Sequence, residues 1–542
     1  MRYRQALLIV KVLFCILGVG LFYLQVIRGN YYFNLSKRNS IRVVSLEAAR
    51  GKIFDRNGAV LADTLPSYAL SVIPQEIKNK DVLFNALSAL LDISIEEISR
   101  KYQKNLLNPF TPVRILEQLD KDKIVAIEEN TLQLPGVIVE ALPQRVYPFQ
   151  QAAAHVLGYV SKIDPLQITR LRPYGYQPSD VIGKAGVEAY YDLFLRGEKG
   201  GEQVEVDNRG RKVRMVGYKP PKPGKDIQIS LDIHIQEIVD RLMSGQNGAV
   251  VIMDPYSGEI IAMSSHPHYA PEAFVMKNDG RISALFSDKR SPMFDRAIAG
   301  QYAPGSVFKI VTAASALEKN PLLINTRFQC SGDLRVGNRS FHCLSVHGDE
   351  SLRDALVHSC NVYFYNLGLR IGPEQIARYA HRLGLGEKTG IDLKYEAKGV
   401  IPSPQWKNVM QLKKWSSGDT ANMSIGQGEV LVTPLQMARM VSVLANGGRL
   451  VWPHLIKAIG DKQFNLSREK TGILSNKVVS DINAYLKEVV DDPEGTAHIA
   501  KIEGLVLFGK TGTTQIVGND PHGWFVGYVG APKPKYAFCI FL

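Results

Sequence analysis

The sequence predicts an α+β fold carried on a single membrane-spanning helix. Residues 6–27 form one long apolar run, and residues 248–263 have the pattern of a β-hairpin that precedes helical stretches across 300–500. Residues 505–542 then contain three further runs of strand length. Because strands stand at both ends of this region with helices between them, we expect the two ends to meet in one antiparallel sheet.

The composition excludes several classes of protein. The chain has 542 residues, of which 45% are apolar and 22% charged, with 65 Lys+Arg against 52 Asp+Glu and a formal net charge of +13. These values exclude a disordered chain, a collagen and a polytopic membrane protein. The basic residues are scattered among acidic ones, so no nucleic-acid partner is expected. Five cysteines are too few for a disulfide scaffold in a chain of this length.

The apolar run at 6–27 predicts a membrane anchor. At about 1.5 Å per residue it would form about 33 Å of helix, which matches the hydrocarbon core of a bilayer. A cleaved signal peptide is the alternative, but the run is longer than a typical signal core and no clear A-x-A site follows it. We therefore expect residues 1–5 to be a short cytoplasmic tail and the bulk of the chain to lie across the membrane, in the periplasm or extracellular space.

Two domains are predicted after the anchor, at 28–224 and 225–542. In the first, an Asn-Gly pair at 57–58 predicts a tight turn between two short strands, and residues 76–135 have helical periodicity. The segment 218–224 is rich in proline, which cannot join a central sheet, and we place the boundary there. The first domain is therefore expected to mix strands and helices, and the second to contain the antiparallel sheet.

One motif suggests a nucleotide site but does not fit the physics of such a site. Residues 504–511 match the phosphate-binding pattern G-x-x-x-x-G-K-[ST]. A phosphate loop needs exposed N–H groups that lead into a helix N-terminus, whereas the interior here is Leu-Val-Leu-Phe and the continuation is Gly-Thr-Thr-Gln. We interpret this segment as a strand that runs through Lys510 and expect no ATP or GTP site.

A serine and a lysine at the start of an apolar helix predict nucleophilic chemistry. Ser306 and Lys309 are three residues apart, so the first turn of a helix would place them on one face, close enough to hydrogen-bond. A hydroxyl becomes a good nucleophile when a neighbouring base takes its proton, and a desolvated lysine can be that base. Alone the S-x-x-K pattern is weak, because a second copy occurs at Ser467 and Lys470 and Ser306 could be an ordinary N-cap.

Two further motifs belong to the same chemistry. Ser359 and Asn361 form the only S-x-N in the chain, between two helical stretches, where a helix-capping turn is the alternative interpretation. K-T-G occurs at Lys388, Lys470 and Lys510, but only the last copy lies between two apolar runs of strand length. The sequence therefore predicts Lys510 on a sheet edge, facing outward.

Together these motifs resemble the signature of the penicillin-recognising serine acyltransferases. The resemblance extends along the chain to the class B penicillin-binding proteins, whose characteristic blocks are similar to RGKIFDRNG, IGKAGVEAYYDLFLRGEKG, FDRAIAGQYAPGSVFK, GDTANMSIGQGEVLVTPLQMA and HGWFVGYVG. The SIGQG and YAPGS blocks are closest to the elongation type. This resemblance implies an elongated mixed α/β pedestal, or dimerisation-like, domain at 28–224 and a transpeptidase domain at 225–542, with an antiparallel sheet flanked by helices.

The resemblance also implies a peptidoglycan D,D-transpeptidase that cross-links stem peptides during cell-wall elongation. Ser306 would attack the carbonyl of the penultimate D-Ala and release the terminal D-Ala, while Lys309 accepts the serine proton. Ser359 would relay a proton to the leaving group, Lys510 would hold the local electrostatics, and Asn361 would anchor the substrate amide. An amine of a neighbouring stem peptide would then complete the cross-link, whereas water as acceptor would make the enzyme a D-Ala-D-Ala carboxypeptidase, a hydrolase.

Substrate contacts and partners follow from the same resemblance. Thr511, Gly512 and Thr513 would bind the substrate, with both threonines on its carboxylate, and the backbone N–H groups of Ser306 and Thr513 would form the oxyanion hole. β-Lactams would acylate Ser306 because they mimic D-Ala-D-Ala. Proteins of this class lie in the inner membrane with a periplasmic catalytic domain, work beside a polytopic glycan polymerase, and use no organic cofactor.

The clustered cysteines predict a metal site. Cys330, Cys343, His347 and Cys360 follow the pattern C-x12-C-x3-H-x12-C, a ligand set that tetrahedral zinc selects. Three buried thiols, or one disulfide with a spare thiol, are the alternatives, and His342 could replace His347. The resemblance supports a structural zinc, because elongation-type relatives hold one beside the active site with Asp, His and Cys ligands. This chain would use cysteines where those relatives use carboxylates.

Other functions are compatible with the same motifs: a division-type transpeptidase, a membrane-anchored β-lactamase or a non-catalytic β-lactam receptor. The sequence offers no identifiable extra base for the deacylation step of a β-lactamase, and the intact Ser306, Lys309, Ser359 and Lys510 argue against a receptor. The sequence stops at Leu542 in an apolar run, where members of the class continue into a C-terminal helix, so we expect further residues there.

Overall fold

The structure, a computed structural model, describes residues 2–32, 41–106, 109, 112–177, 180–206, 212–276, 279–516 and 519–542. Its α-helices, in chain order, are α1 Arg2–Phe22, α2 Lys80–Leu91, α3 Ile95–Asn105, α4 Lys121–Glu129, α5 Ala154–Leu157, α6 Pro165–Leu171, α7 Gly186–Tyr190, α8 Asp192–Leu195, α9 Ile233–Leu242, α10 Glu272–Val275, α11 Asp279–Ser287, α12 Lys309–Lys319, α13 Leu352–Val357, α14 Asn361–Ile371, α15 Pro373–Arg382, α16 Pro404–Gln411, α17 Ser417–Ser424, α18 Pro434–Ala445 and α19 Asn476–Asp491.

Its strands are β1 Ile41–Leu46, β2 Ile53–Phe54, β3 Val60–Val72, β4 Val113–Leu116, β5 Val137–Val146, β6 Val160–Lys162, β7 Val181–Gly183, β8 Gly200–Val206, β9 Lys212–Lys219, β10 Ile227–Ile229, β11 Gly248–Met253, β12 Ile260–His266, β13 Phe328–Cys330, β14 Asp333–Val336, β15 Arg339–His342, β16 Gly348–Glu350, β17 Leu450–Val451, β18 Ile456–Ile459, β19 Lys462–Gln463, β20 Glu469–Lys470, β21 Leu507–Ile516, β22 Asn519–Val529 and β23 Tyr536–Phe541.

The chain divides into two compact units that interleave along the sequence. The first unit comprises Met1–Arg50, Thr64–Gln144 and Arg196–Gly224, and the second comprises Gly51–Asp63, Arg145–Leu195 and Lys225–Leu542. The chain makes its last passage between the units at the proline-rich segment where the sequence suggests a boundary. Two earlier segments, Gly51–Asp63 and Arg145–Leu195, lie in the second compact unit. The predicted limits of 28–224 and 225–542 assign both segments to the first domain.

The N-terminal helix has the properties of a membrane span. α1 continues through a π-helical turn at Tyr23–Ile27, and the helix Tyr3–Ile27 has a mean hydropathy of 2.6 over its most apolar window. None of that window is buried against the rest of the protein. By length and composition this helix can cross a bilayer, in agreement with the anchor predicted at 6–27.

The first unit contains a three-stranded sheet and part of a seven-stranded one. One has the antiparallel order β1-β8-β9, and in the other the C-terminal part of β3 pairs with β4 and β5. Helix α2 buries Leu83, Leu87 and Leu91, a stripe at helical spacing, in a core that it shares with Leu70 of β3. The helical periodicity predicted for residues 76–135 is confirmed by α2, α3 and α4, although strand β4 lies between the last two.

The second unit is built around a five-stranded antiparallel sheet with the order β12-β11-β23-β22-β21. Val251 of β11 pairs with Met263 on one side and with Cys539 on the other. Val526 of β22 pairs with Cys539 and with Lys510. The sheet therefore joins the predicted hairpin to the last strands of the sequence, as the pattern of apolar runs indicates, and leaves β21 with its K-T-G motif at the edge.

Two helices at the centre of the second unit are buried almost completely. α12 is buried from Lys309 through Leu317, and α18 is buried along its whole length. α18 lies against β11, β22 and β23, whereas α12 contacts α14 and α15. A helix that is buried on all sides is stabilised by the protein around it rather than by propensity. The start of α12, three residues after Ser306, is therefore fixed by core packing.

A buried arginine, Arg145, forms an ion pair within its own segment of the second unit and a hydrogen bond with the segment that begins at Gly51. Arg145 Nε donates to Glu188 Oε1 at 2.6 Å, and Arg145 Nη1 donates to the carbonyl of Gly51 at 2.7 Å. The side chains of Arg145 and Glu188 are 3% and 0% exposed, respectively. Because removal of one partner of a buried pair leaves an uncompensated charge, this contact is sensitive to substitution.

We expect Glu188→Gln to lower the free energy of unfolding by about 3 kcal/mol, because the buried Arg145 would lose the charge of the carboxylate that its Nε contacts. Urea denaturation of the full chain in detergent measures the change. The exposed pair of Lys477 and Asp481 supplies a control, since Lys477→Ala should cost no more than about 0.5 kcal/mol. Equal losses for the two variants would contradict a structural role for the buried pair.

Candidate active site

Ser306 lies in a tight turn that leads into α12. The turn, Gly305–Phe308, is a 3-10 helix, so Ser306 precedes the α-helix rather than occupying its first α-helical turn as the sequence predicts. Gly305 has φ +55, and a Cβ there would lie 2.6 Å from Thr514 Oγ1 and 2.9 Å from Thr513 O. A glycine is required because the turn is left-handed at this point and touches strand β21.

The residues before Ser306 are held against the edge strand by hydrogen bonds. The carbonyl of Ala303 accepts from Thr514 Oγ1 at 3.0 Å and from Trp524 Nε1 at 3.0 Å. A Cβ at Gly512 would lie 2.9 Å from Pro304 O. The turn that carries Ser306 is therefore in direct contact with the K-T-G strand, although about 200 residues separate the two in the sequence.

Lys309 is fully buried and faces the S-x-N turn. Its Nζ lies 2.6 Å from Ser359 O, 3.2 Å from Ser359 Oγ and 2.7 Å from Asn361 Oδ1. The spacing of Ser306 and Lys309 predicts a hydrogen bond between them, but the bonds of Lys309 in the described part of the chain go to Ser359 and Asn361 instead. Catalytic hydrogen bonds are often long in ligand-free enzymes and tighten when substrate binds.

The environment of Lys309 favours a neutral amine. Burial lowers its pKa to about 7, although negative charge on Cys343 and Cys360 acts in the opposite direction. A neutral amine has two N–H donors and one lone pair, and two of its three contacts are oxygens that only accept. Those two take the N–H groups, which leaves the lone pair towards the Ser359 hydroxyl. Lys309 is thus able to act as a proton acceptor near neutral pH.

The S-x-N turn joins α13 to α14 in a strained conformation. Ser359 is 3% exposed and has φ +58, a region that non-glycine residues rarely adopt. Cys360 N donates to Ala355 O at 2.9 Å, and Cys360 Sγ accepts from Tyr363 N at 3.4 Å as the N-cap of α14. The capping interpretation and the catalytic one therefore coexist in this turn, because Cys360 caps the helix while its neighbours contact Lys309.

Lys510 lies on the edge strand as predicted, but its side chain does not face outward. The side chain is fully buried, and Nζ donates to Thr496 Oγ1 and to Thr511 O, each at 3.2 Å. Burial, followed by the charge of Lys309, lowers its pKa well below the usual range. The strand β21 runs through the whole Gly-Lys-Thr segment, which confirms that the phosphate-loop pattern is not a phosphate loop.

Thr496, in the loop after α19, is a site residue that the sequence motifs do not indicate. Its hydroxyl lies 3.2 Å from Lys510 Nζ and 2.9 Å from Thr511 Oγ1. The only local sequence signal is a Gly-Thr pair after a helix, which is typical of any loop. Of the predicted substrate residues, Thr511 is half-buried, Gly512 is buried and Thr513 is exposed.

The four residues predicted to bind a metal converge beside this site. The ligand atoms of Cys330, Cys343, His347 and Cys360 all lie within 4.8 Å of one another. His347 Nδ1 is 3.5 Å from Cys330 Sγ and 3.4 Å from Cys343 Sγ, and the sulfurs of Cys343 and Cys360 are 3.9 Å apart. Zinc bonded tetrahedrally at its usual distances would separate two sulfurs by about 3.8 Å, and sulfur from nitrogen by about 3.5 Å. The arrangement fits that ion.

The same geometry argues against two of the alternatives, a disulfide and His342 as a ligand, whereas three thiols without metal are compatible with it. The cysteines are free, and 3.9 Å between Cys343 and Cys360 is far longer than a disulfide bond. His342 is not in the cluster. Its carbonyl accepts from Asn361 Nδ2 and Tyr365 Oη, each at 3.2 Å.

The cysteine cluster and the catalytic turn are coupled electrostatically. A hydrogen bond between the two thiols lowers the pKa of Cys343 and raises that of Cys360. Cys343 Sγ also accepts from the backbone N–H of Asn361 at 3.1 Å. The lowered pKa of Cys343 favours the thiolate, a form that binds metal, and its sulfur lies directly against the backbone of the residue that contacts Lys309.

Comparison of this chain with known proteins shows the family to which it is related. The model of the penicillin binding protein transpeptidase domain matches residues 248–542, and that of the penicillin-binding protein dimerisation domain matches residues 45–229. The structure of penicillin-binding protein 2 from Helicobacter pylori is similar with a TM-score of 0.80 and 29% identity, covering 92% of this chain and 95% of that one.

Curated relatives extend the similarity over the full length. The peptidoglycan D,D-transpeptidase MrdA of Acinetobacter baumannii is 32% identical over 542 residues, covering 96% of this chain and 81% of the relative. MrdA of Escherichia coli K12 is 32% identical over 523 residues, covering 93% of this chain and 82% of the relative. With the transpeptidase model matched over more than half of its length, this chain belongs to the penicillin-binding protein transpeptidase family.

Proposed function

We propose that this protein is a peptidoglycan D,D-transpeptidase that cross-links stem peptides during cell-wall elongation through a serine acyl-enzyme. The observation that carries the proposal is the buried amine of Lys309, held between Ser359 and Asn361 at the start of the helix that follows Ser306. A desolvated amine in this position is the base that a serine nucleophile requires. The relatives named peptidoglycan D,D-transpeptidase, and the penicillin-binding protein 2 structures, support the elongation type.

In the first half of the reaction, Ser306 attacks the carbonyl carbon of the penultimate D-Ala. The Ser306 proton passes to neutral Lys309, and the carbonyl electrons move onto oxygen, where the backbone N–H groups of Ser306 and Thr513 stabilise the charge. Collapse of this intermediate breaks the peptide bond. Ser359 relays a proton from Lys309 to the leaving nitrogen, so terminal D-Ala departs as a neutral amine and Lys309 is neutral again.

In the second half, the amine of a neighbouring stem peptide attacks the Ser306 ester. The same groups act in reverse order, so the amine proton passes to Lys309 and returns to the serine oxygen when the ester bond breaks. Lys510 holds the local electrostatics of the site, and Asn361 anchors the substrate amide. Thr511 and Thr513, on either side of Gly512, bind the terminal carboxylate.

The location and the partners follow from the first helix and from the relatives. We infer that α1 anchors the chain in the cytoplasmic membrane and that the second unit works in the periplasm. Solved structures similar to this chain include a complex of penicillin-binding protein 2 with MreC and a peptidoglycan synthase complex that couples polymerisation with cross-linking. A polytopic glycan polymerase is accordingly the partner that we propose here, and β-lactams are the covalent inhibitors.

We also propose that the cysteine cluster, Cys330, Cys343, His347 and Cys360, binds one structural zinc ion. Zinc would supply a fixed tetrahedral centre for residues 329–347, which include few apolar residues. Cys360 stands between Ser359 and Asn361, so the ligand set restrains the catalytic turn through its backbone.

Labelling by a fluorescent penicillin tests the nucleophile. The wild-type chain should bind one label covalently, and Ser306→Ala should bind none, because the variant lacks the hydroxyl that the proposed reaction uses as its nucleophile. Ser467→Ala, in the second S-x-x-K copy, is the matched control and should label normally. Persistent labelling of Ser306→Ala would refute the assignment, and steady hydrolysis of nitrocefin by the wild type would favour a β-lactamase.

The pKa of Lys309 predicts how acylation depends on pH. Because the base must be neutral, the rate of penicillin acylation should be low near pH 5, rise through about pH 7 and reach a plateau above it. Lys309→Arg, which stays protonated, should lose at least about 100-fold of the rate at pH 8. Stopped-flow acylation measures both. A rate that is flat between about pH 5 and about pH 9 in the wild type would contradict a neutral-lysine base.

Elemental analysis of the purified full-length protein tests the zinc proposal. We expect about one zinc per chain, with the three cluster thiols protected from a maleimide until a chelator is added. Cys343→Ser should lose most of the zinc, whereas Cys15→Ser, in the anchor helix, should keep it. Protein without zinc, in which all three cluster thiols react freely, would end the proposal.

A further inference from the structure

Helix α17 ends in a left-handed turn within the SIGQG segment, residues 424–428. Gly426 N donates to Met423 O at 3.0 Å, and Gln427 N donates to Asn422 O at 3.0 Å. These two bonds form a Schellman motif, in which the first residue beyond the C-cap has a positive φ, and Gly426 has φ +69. The motif alone requires only a positive φ, which the exposed Gly428, at φ +73, also has.

Gly426 differs from Gly428 because it packs directly against the turn that carries Ser306. Gly305 N donates to Gly426 O at 2.9 Å. A Cβ at Gly426 would lie 2.5 Å from Gly305 O, 2.5 Å from Phe308 Cβ and 3.0 Å from Gly305 N. None of these atoms is at the end of a flexible side chain, and Phe308 is fully buried. A methyl group at position 426 would therefore displace the backbone of the turn.

The oxygen that lies against Gly426 belongs to the peptide group that presents the Ser306 N–H. Gly305 O and Ser306 N are parts of one planar peptide, so a displacement of the oxygen also moves the N–H. On its other side Gly305 lies against strand β21, where a Cβ at Gly305 would lie 2.9 Å from Thr513 O. The peptide is therefore held between Gly426 and the strand that carries the second proposed oxyanion donor, Thr513 N–H.

We propose that Gly426 is a positioning residue of the oxyanion hole. Its lack of a side chain and its hydrogen bond with Gly305 N hold the turn so that the Ser306 N–H points at the substrate carbonyl oxygen. The inference rests on the proposed function, in which the N–H groups of Ser306 and Thr513 stabilise the charge on that oxygen. Such donors act because they are oriented before the reaction begins, so a small rotation of one donor slows catalysis.

Two alanine variants with similar backbone strain separate this role from general support of the fold. Gly426→Ala places a methyl group against Gly305 O, whereas a Cβ at Gly428 meets Asn422 Cβ at 3.4 Å, an ordinary van der Waals contact. The probe is benzylpenicillin, and the full-length protein in detergent is used throughout. Stopped-flow kinetics give the limiting acylation rate and the half-saturating concentration. Infrared difference spectra give the stretching frequency of the ester carbonyl in the acyl-enzyme.

We expect Gly426→Ala to lower the limiting acylation rate by about 10- to 100-fold, with the half-saturating concentration within about 3-fold of wild type. The ester carbonyl should absorb at a higher frequency than in the wild type, because a hydrogen bond from the Ser306 N–H weakens the C=O bond and the variant loses part of it. Gly428→Ala should keep the limiting rate within about 3-fold and leave the carbonyl frequency unchanged, since its strain does not reach the turn.

Thr312→Val tests the same contact without a steric clash. Thr312 Oγ1 in α12 donates to Ser424 O at 2.8 Å and so holds the end of α17 beside the helix that follows Ser306. Loss of this bond should allow the segment of Gly426 to withdraw, lower the limiting rate by about 3- to 10-fold and raise the carbonyl frequency. Thr312→Ser should restore both. This variant decides the inference if Gly426→Ala does not fold.

Two results with Gly426→Ala would overturn the inference: a rate and frequency equal to those of Gly428→Ala, or slow acylation with the wild-type carbonyl frequency. An unchanged rate and frequency in Thr312→Val would also overturn it. Failure of the proposed function has a different signature. If the wild-type ester carbonyl absorbs as it does in denatured acyl-enzyme, the oxyanion-hole assignment of Ser306 and Thr513 fails. If Ser306→Ala still acylates, the nucleophile assignment fails instead.

Discussion

The burial of an amine is the constraint on which the rest of the second unit depends. Lys309 is fully buried, and an isolated ammonium in a protein interior costs several kcal/mol. Two acceptors from the S-x-N turn, Ser359 O and Asn361 Oδ1, offset this cost. The pKa of about 7 also favours the neutral amine at pH values above it. Because Lys309 begins a helix that is buried almost throughout, its position relative to Ser306 is determined by core packing rather than by the surface.

The S-x-N turn can satisfy the amine only because other contacts compensate for its strain. A left-handed serine such as Ser359 costs about 1 to 3 kcal/mol. The bond from Lys309 to the Ser359 carbonyl opposes that cost, and so does the bond from Asn361 N to Cys343 Sγ. The second bond comes from the cysteine cluster. The cluster and the S-x-N turn therefore share one backbone segment, Ser359 to Asn361. A change in the conformation of either one alters the conformation of the other.

Local patterns predict the elements of this protein better than its long-range contacts. The hairpin and the last strands follow from runs of apolar residues, and the cysteine spacing predicts the cluster because a metal site requires four ligands to meet. The inward direction of Lys510 depends on the loop of Thr496, which no periodicity connects with it. The membership of Gly51–Asp63 and Arg145–Leu195 in the second unit depends on long-range contacts such as Arg145 with the Gly51 carbonyl and Tyr191 with Asp392, which a sequence does not display.

The two buried lysines cannot both carry a proton at low cost. The charge of Lys309 lowers the pKa of Lys510, so protonation of one amine disfavours protonation of the other. Lys309 faces a hydroxyl that can donate to its lone pair, whereas Lys510 faces Thr496 Oγ1 and a carbonyl, both of which can accept. The proposed mechanism accordingly assigns the two amines different roles, proton acceptor for Lys309 and local electrostatics for Lys510.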